Sequence, residues 1–253
     1  MAGLAGDWHG NLAWAREAIR GLASFKVERI YHLGDFGIWP GSKGAHYLDH
    51  VNTVAKHYDA PIWVTPGNHE DYDQINAAPV GADGLQWVRS HIALIPRGHR
   101  WEHGGQTFVS LGGAPSIDFE MRTPGASWWD AERITYSEAC AVAEAGYADV
   151  MLAHDAPDGG TAAVDRIIAT PVDQSPWSEK GLNYAREGRV LMNAAVAGVR
   201  PKLFAHGHYH APDDTGPQEP TRYLSLGCDG QAKNIGLLRL SDLAVSWDGR
   251  NCA

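Results

Sequence analysis

Apolar runs that stop abruptly in polar clusters recur along the chain. Leu4-Ala5 leads into Gly6-Asp7-Trp8-His9-Gly10, and Ile30-Tyr31-His32-Leu33 leads into Gly34-Asp35. Ile62-Trp63-Val64-Thr65 precedes Gly67-Asn68-His69-Glu70, Val150-Met151-Leu152-Ala153 precedes His154-Asp155, and Leu203-Phe204-Ala205 precedes Gly207-His208-Tyr209-His210. Short runs of this kind, often β-branched or aromatic and bounded by glycine or proline, predict buried strands. After the first cluster the period changes. Leu12, Ala15, Ile19 and Leu22 mark one face of a helix, with Asn11 as its N-cap. A strand over 28–33, a helix over 43–58 and a strand at Ile62–Thr65 follow. This βαβαβ rhythm implies parallel strands joined by crossover helices.

From residue 85 to 112 the texture differs. Ile92–Ile95, His99–His103 and Thr107–Leu111 read as short strands linked by tight turns, the start of an antiparallel part. Residues 113–134 form a long loop rich in Gly, Pro and Trp, and loops of that length are usually functional or well packed. A helix over Ser137–Ala145, a strand at Val150–Ala153, an irregular stretch over 157–180 and a helix over Ala185–Ala197 ending at Gly198 come next. The strand Lys202–Ala205 carries the last cluster. Tyr223–Leu226, Ile235–Leu240 and Leu243–Trp247 then read as a closing antiparallel meander. With no repeat and no low-complexity linker, residues 1–253 are expected to form one α/β domain, two mixed sheets face to face with helices outside.

Composition narrows the function classes. A net charge of -9 argues against gripping nucleic acid through a broad basic face, which needs clustered Lys and Arg. A phosphate substrate is still compatible, because bound metals can supply local positive charge. Cys140, Cys228 and Cys252 are odd in number and lack CxxC spacing. Without a charged n-region followed by an apolar h-region, or any long apolar stretch, the chain reads as cytoplasmic and reduced, with no membrane partner.

The clusters carry the chemistry. Asp7 and His9, two residues apart at an extended strand end, point to one side and can chelate one ion. Asp35 can bridge two ions, Asn68 offers a carbonyl oxygen, and His154, His208 and His210 offer imidazole nitrogens. Oxygen and imidazole donors without thiolate suit manganese first, with iron, zinc or nickel as alternatives. If the strands lie side by side, these donors meet on the rim where open α/β sheets place their sites. Two ions sharing Asp35 would lie about 3.5 to 4 Å apart and draw a proton from the water between them. Each cluster alone is a weak signal; their conjunction, each at a strand end, points to a two-metal hydrolase.

In this order the clusters resemble the calcineurin-like metallophosphoesterases, whose signature is DxH, GD, GNH followed by D or E, a lone His, and GHxH. The likeness spans residues 6 to 210. It implies one metal on Asp7, His9, Asp35 and His210, and a second on Asp35, Asn68, His154 and His208. It places His69 beside the leaving-group oxygen as the catalytic residue. The fold it implies is a four-layer α/β/β/α sandwich of two mixed sheets between helices, in agreement with the strand pattern. Many phosphoprotein phosphatases of the family continue GD as GDxxDRG, but here Ile38 stands at the second Asp position and the Arg is missing. The smaller bacterial and phage-like members, often phosphodiesterases, are therefore the closer comparison. Gly112-Gly113-Ala114 and Trp128-Trp129-Asp130-Ala131-Glu132 also resemble that group. The partner that orients His69 is left open, with Glu70 and Asp71 nearest in sequence.

The reaction implied is in-line attack on phosphorus by a hydroxide held between two ions, with His69 donating to the departing alkoxide. The leading substrate is a small phosphodiester such as a cyclic or linear nucleotide. A phosphomonoesterase or phosphoprotein phosphatase is the alternative, ahead of a nuclease or a non-catalytic scaffold. His32, His46, His50, His57, His91, His99 and His103 are assigned structural or exposed roles, and His206 a place beside the ligands without being one. Trp14 and Trp63 are expected in the core, and Trp8, Trp128 and Trp129 in packing that pins the long loop. Arg122 is assigned to the surface, and Cys140 to a buried, inert position.

Overall fold

The first sheet grows from the amino terminus in the expected rhythm. β1 (Ala2–Ala5) is followed by α1 (Leu12–Ala23), β2 (Ile30–His32), α2 (Gly41–His57) and β3 (Ile62–Val64). The computed structural model describes residues 1–217 and 220–247, so Cys252 lies outside the described residues. Asn11 caps α1 by accepting the Trp14 N–H at 3.1 Å, as its position predicts. A short α3 (Tyr72–Ala77), capped by Asp71, leads to β4 (Gln86–Arg89) and β5 (Ile92–Leu94). β1, β2, β3 and β5 lie parallel, with Leu4, Tyr31, Trp63 and Ala93 in register. Within the stretch 85–112, β4 pairs antiparallel with β5, as expected, while β5 also extends the parallel sheet beside β3.

The second sheet begins with the hairpin β6 (Arg100–His103) and β7 (Gln106–Leu111). α4 (Tyr136–Glu144), β8 (Val150–Ala153), α5 (Ala162–Ile168), α6 (Glu179–Val199) and β9 (Leu203–His206) follow. α4 is opened by a Thr135–Glu138 capping box rather than by Ser137. α6 begins at Glu179, not Ala185, and runs through Gly198 to a left-handed Arg200 at φ 52°. Gly198 stays inside the helix because α4 crosses there, and a Cβ would strike Ala143. β10 (Asp213–Asp214), β11 (Arg222–Ser225), β12 (Ile235–Arg239) and β13 (Ala244–Ser246) complete the strands. They do not form one meander. β11 pairs parallel to β9 in the second sheet, whereas β12 pairs antiparallel to β1 and β13 in the first. The strand orders are β13-β12-β1-β2-β3-β5-β4 and β10-β11-β9-β8-β7-β6, both mixed.

Alternation along the strands builds the layers. Ala5, Ile30, Ile62 and Leu94 face Ile19 and Leu22 of α1 and Leu48 and Val51 of α2. Leu4, Tyr31 and Ala93 face the opposite way and pack on Phe108, Val150, Leu152 and Ala205 of the second sheet. Val109, Met151 and Phe204 face outward onto Val142 of α4 and Met192 and Val199 of α6. The arrangement is a four-layer α/β/β/α sandwich. Each fully buried aliphatic side chain contributes about 1.5–3 kcal/mol to holding it. Trp14 and Trp63 pack at the margins of these clusters rather than inside them, and Cys140 is half-buried rather than buried. Near the site the sheets are joined by the Thr65 and Ser110 hydroxyls at 3.0 Å, and by the Gly113 N–H donating to the Pro66 carbonyl at 2.7 Å. That junction carries the 113–134 loop to the ends of the first sheet. No described helix is long and apolar enough to cross a membrane.

Candidate metal centre

All five sequence clusters sit at the carboxyl ends of parallel strands β1, β2, β3, β8 and β9. The backbone there is not extended. His9 (φ 45°), Asp35 (φ 51°), His208 (φ 68°) and His210 (φ 50°) are all left-handed. Asp7 and His9 therefore converge through left-handed turns rather than by the simple strand alternation expected of them. Each such residue costs about 1–2 kcal/mol, and fixed hydrogen bonds hold it in place. The Trp8 and His9 N–H groups both donate to the Asp35 carbonyl, at 3.1 and 2.8 Å. The His208 N–H donates to Asp7 Oδ2 at 3.0 Å. Glu70, fully buried, accepts the N–H groups of Asp35 (3.2 Å), Phe36 (2.7 Å), Gly37 (3.2 Å) and Gly67, so one carboxylate binds two strand ends. Burial, reinforced by the Asp35 charge, pushes the Glu70 pKa up to about 7.

Donor atoms of Asp7, His9, Asp35 and His210 all lie within 4.8 Å of one another. His210 Nε2 is 3.0 Å from Asp7 Oδ2, yet it is buried and makes no hydrogen bond. Two electron-rich atoms at that distance without hydrogen-bond geometry fit a cation held between them. His9 Nε2 is 3.5 Å from Asp35 Oδ2, while its Nδ1 meets Asp229 at 3.2 Å. Asn11 Nδ2 donates to the other Asp229 oxygen at 2.7 Å. A carboxylate behind a histidine is the usual support for a metal ligand. On the far side of Asp35, His154 Nε2 lies 3.3 Å from Asp35 Oδ1 and 2.9 Å from Asn68 Oδ1, with its Nδ1 on the Leu33 carbonyl at 2.6 Å. The His208 ring packs against His154 with centroids 5.0 Å apart. Asp35 thus stands between two donor sets, each with the oxygen and imidazole chemistry that divalent ions take.

The electrostatics agree. Burial lowers the proton affinity of His9 and His154, but the Asp35 hydrogen bonds and charge, with Asp7, outweigh it and raise them to about 9 and about 10. Burial alone would raise the Asp35 pKa; His154, His69 and His9 reverse this and hold it well below the usual carboxylate range. Protons are drawn to the places where a cation would compete for them. Desolvation, with the neighbouring His154, holds His208 well below the usual histidine range.

His69 projects from the same strand end. Its N–H donates to Asp35 Oδ1 at 2.9 Å, and its Nε2 is 3.9 Å from Asp35 Oδ2. Neither sequence neighbour orients it: Glu70 serves backbone N–H groups, and Asp71 caps α3. Ile38 is buried in the apolar cluster under α2. Instead, Arg122 from the 113–134 loop lies on the His69 ring, with Nη2 at 2.7 Å from Nε2. Arg122 is therefore not a surface residue: its side chain is 11% exposed and its Nε donates to Asp118 at 2.6 Å. Burial lowers the His69 pKa, and Arg122 adds to that against the opposing pull of Asp35. His206 is buried, with Nδ1 on the Gly207 carbonyl at 2.8 Å, and burial lowers its pKa to about 4. The tryptophans serve packing: Trp8 Nε1 donates to Asn234, Trp128 to Glu132 and Trp129 to Asp73. Asp229 and Ser116, which holds Asn68 Nδ2 at 2.9 Å, carry no motif signal and were not recognisable from the sequence.

The family model described as calcineurin-like phosphoesterase matches residues 3–212 of the chain. The fold is similar to a solved structure from Thermus thermophilus, at a TM-score of 0.60 and 10% identity, covering 97% of this chain and 96% of that one. It is also similar to a dimetal phosphatase from Danio rerio, at a TM-score of 0.57 and 12% identity, covering 94% and 92%. No curated protein matched the chain by sequence.

Proposed function

The chain belongs to the calcineurin-like phosphoesterase family, and on that footing we propose that it hydrolyses a small phosphodiester, such as a cyclic or linear nucleotide, with two divalent ions. The observation that carries this reading is the gathering of Asp7, His9, Asp35 and His210 within 4.8 Å at the strand ends. Those residues would hold one ion, and Asp35, Asn68, His154 and His208 the other, with manganese the first choice for such mixed donors. When bound, the ions supply positive charge to the phosphoryl group and make a nearby water acidic.

The chain's own groups do the rest. Asp35 spaces the two donor sets. His69, fixed through its backbone on Asp35, offers a ring N–H to the departing oxygen. Arg122 sets a guanidinium beside that ring, where it can meet a non-bridging phosphoryl oxygen. The net charge of -9 gives no support to a stable nucleic-acid partner, so a small ester is the substrate class.

Arg122 also favours a second reading. A monoester dianion carries one more negative charge than a diester, and a guanidinium at this point suits it. Turnover of bis-p-nitrophenyl phosphate and of the mono-ester at matched Mn2+ separates the two. We expect the diester to be faster, and a strong mono-ester preference would move the assignment to a phosphomonoesterase. Full activity in both Asp35→Ala and His208→Ala proteins would remove the two-ion reading.

A further inference from the structure

Glu132 sits at the end of the 113–134 loop with no exposed surface, and a buried carboxylate needs partners. Its Oε1 takes the Ser116 N–H at 2.6 Å, Trp128 Nε1 at 3.0 Å and the Tyr184 hydroxyl at 3.3 Å. Its Oε2 takes the Ser116 hydroxyl at 2.7 Å. Ser116, having spent its proton on Glu132, has only lone pairs left for its other neighbour. That neighbour is Asn68 Nδ2, at 2.9 Å. The Asn68 amide is thereby ordered: nitrogen toward Ser116, and Oδ1 toward His154 Nε2 at 2.9 Å and the Asp35 side of the centre.

We infer that Glu132 is a positioning residue for metal binding, acting through the Ser116 hydroxyl to aim the Asn68 oxygen at the ion between Asn68, His154, His208 and Asp35. The inference rests on the two-ion reading above. A glutamine at 132 would present an N–H2 to Ser116. The serine hydroxyl would then turn toward Asn68, and the amide would swing its nitrogen, which cannot ligate a cation, into the site. The long loop gains a role that its composition did not reveal: it sets the proton order of a ligand 64 residues earlier in the chain.

Mn2+ titration of the metal-free protein by calorimetry tests this without recourse to turnover. Wild type should take up two ions. Glu132→Gln should bind one as before and the other about 10- to 100-fold more weakly, the usual effect of losing a group that orients a ligand. In an Asn68→Ala background the same change should have no further effect, because its route runs through Asn68. Unchanged affinity for both ions in Glu132→Gln, or an equal loss with and without Asn68, overturns the inference in favour of a purely packing role. If Glu132→Gln does not fold, Ser116→Ala is measured in the same two backgrounds with the same expectations. Uptake of fewer than two ions by wild type sinks the two-ion reading and this inference together. Normal uptake with no ester turnover sinks only the proposed activity and leaves the role of Glu132 decided by the titration.

Discussion

Arg122 Nη2 lies 2.7 Å from His69 Nε2, so a guanidinium rests against a histidine whose Nε2 is 3.9 Å from the shared carboxylate. Arg122 Nη1 also lies 3.3 Å from His69 Nδ1, so the guanidinium spans both nitrogens of the ring. The contact joins the loop after β7 to the turn after β3, and it gives the site a fixed cation that GD-Phe36-Gly37-Ile38 does not provide.

Arg122→Ala should therefore lower kcat/KM by about 10²-fold, the size of effect expected when one donor to a phosphoryl oxygen is lost. Arg122→Lys should recover only part of it, since an ammonium lacks the two-pronged geometry. Steady-state kinetics on the aryl phosphate substrates checks this. Wild-type kinetics in the alanine protein would return Arg122 to a structural role.

Ile38→Asp should not repair the missing carboxylate. Ile38 is 1% exposed and packs in the cluster that includes Trp8, Phe36 and Tyr47, so an unpaired carboxylate there should destabilise by at least about 3 kcal/mol. Urea denaturation of the metal-free protein measures it. A stable Ile38→Asp protein with raised activity would mean that this position does face His69.

Gly207→Ala should weaken metal binding without unfolding the chain. A Cβ at residue 207 would collide with Asp7 Oδ1, the carboxylate that also accepts the His208 N–H. Displacing Asp7 should lower Mn2+ affinity about 10- to 100-fold. Calorimetric titration that matches wild type would contradict this.

The stability of the metal-free protein should fall as pH rises from about 6.5 to 10. Despite burial, Asp35 and Asp7 raise His9 to about 9 and His154 to about 10, against ~6.5 for an unfolded histidine. A folded pKa above the unfolded one stabilises fully below pH ~6.5, and that stabilisation is lost as pH climbs through the folded values. Mn2+ replaces those protons and should flatten the profile. Melting curves in EDTA and in Mn2+ across this range provide the check. A flat metal-free profile would show that Asp35 and Asp7 do not hold protons on His9 and His154.

Much of this was legible before any coordinate. Strand ends, the Asn11 cap, the helix α1 face and the polar clusters depend on spacings of a few residues, and such spacings survive into the fold because a strand or turn forms from its own neighbours. Asp7 and His9 do meet on one side, as their spacing predicts, but by left-handed turns, locked by Glu70 and by the Asp35 carbonyl, rather than by extended strand alternation. The splitting of β11 and β12 between two sheets was out of reach, since an apolar strand does not state which of two buried edges it will join.

The donor set and its family were written in the order of residues along the chain, where ligand chemistry sits next to the strand that presents it. The supports of those donors were not. Asp229 reaches His9 from 220 residues away, and Arg122 reaches His69 from 53. Neither belongs to a motif, because their geometry comes from one sheet packing against the other and from the loop that closes over the seam. Contacts of that kind are set by the shape of the whole core, to which no local run of residues carries the key.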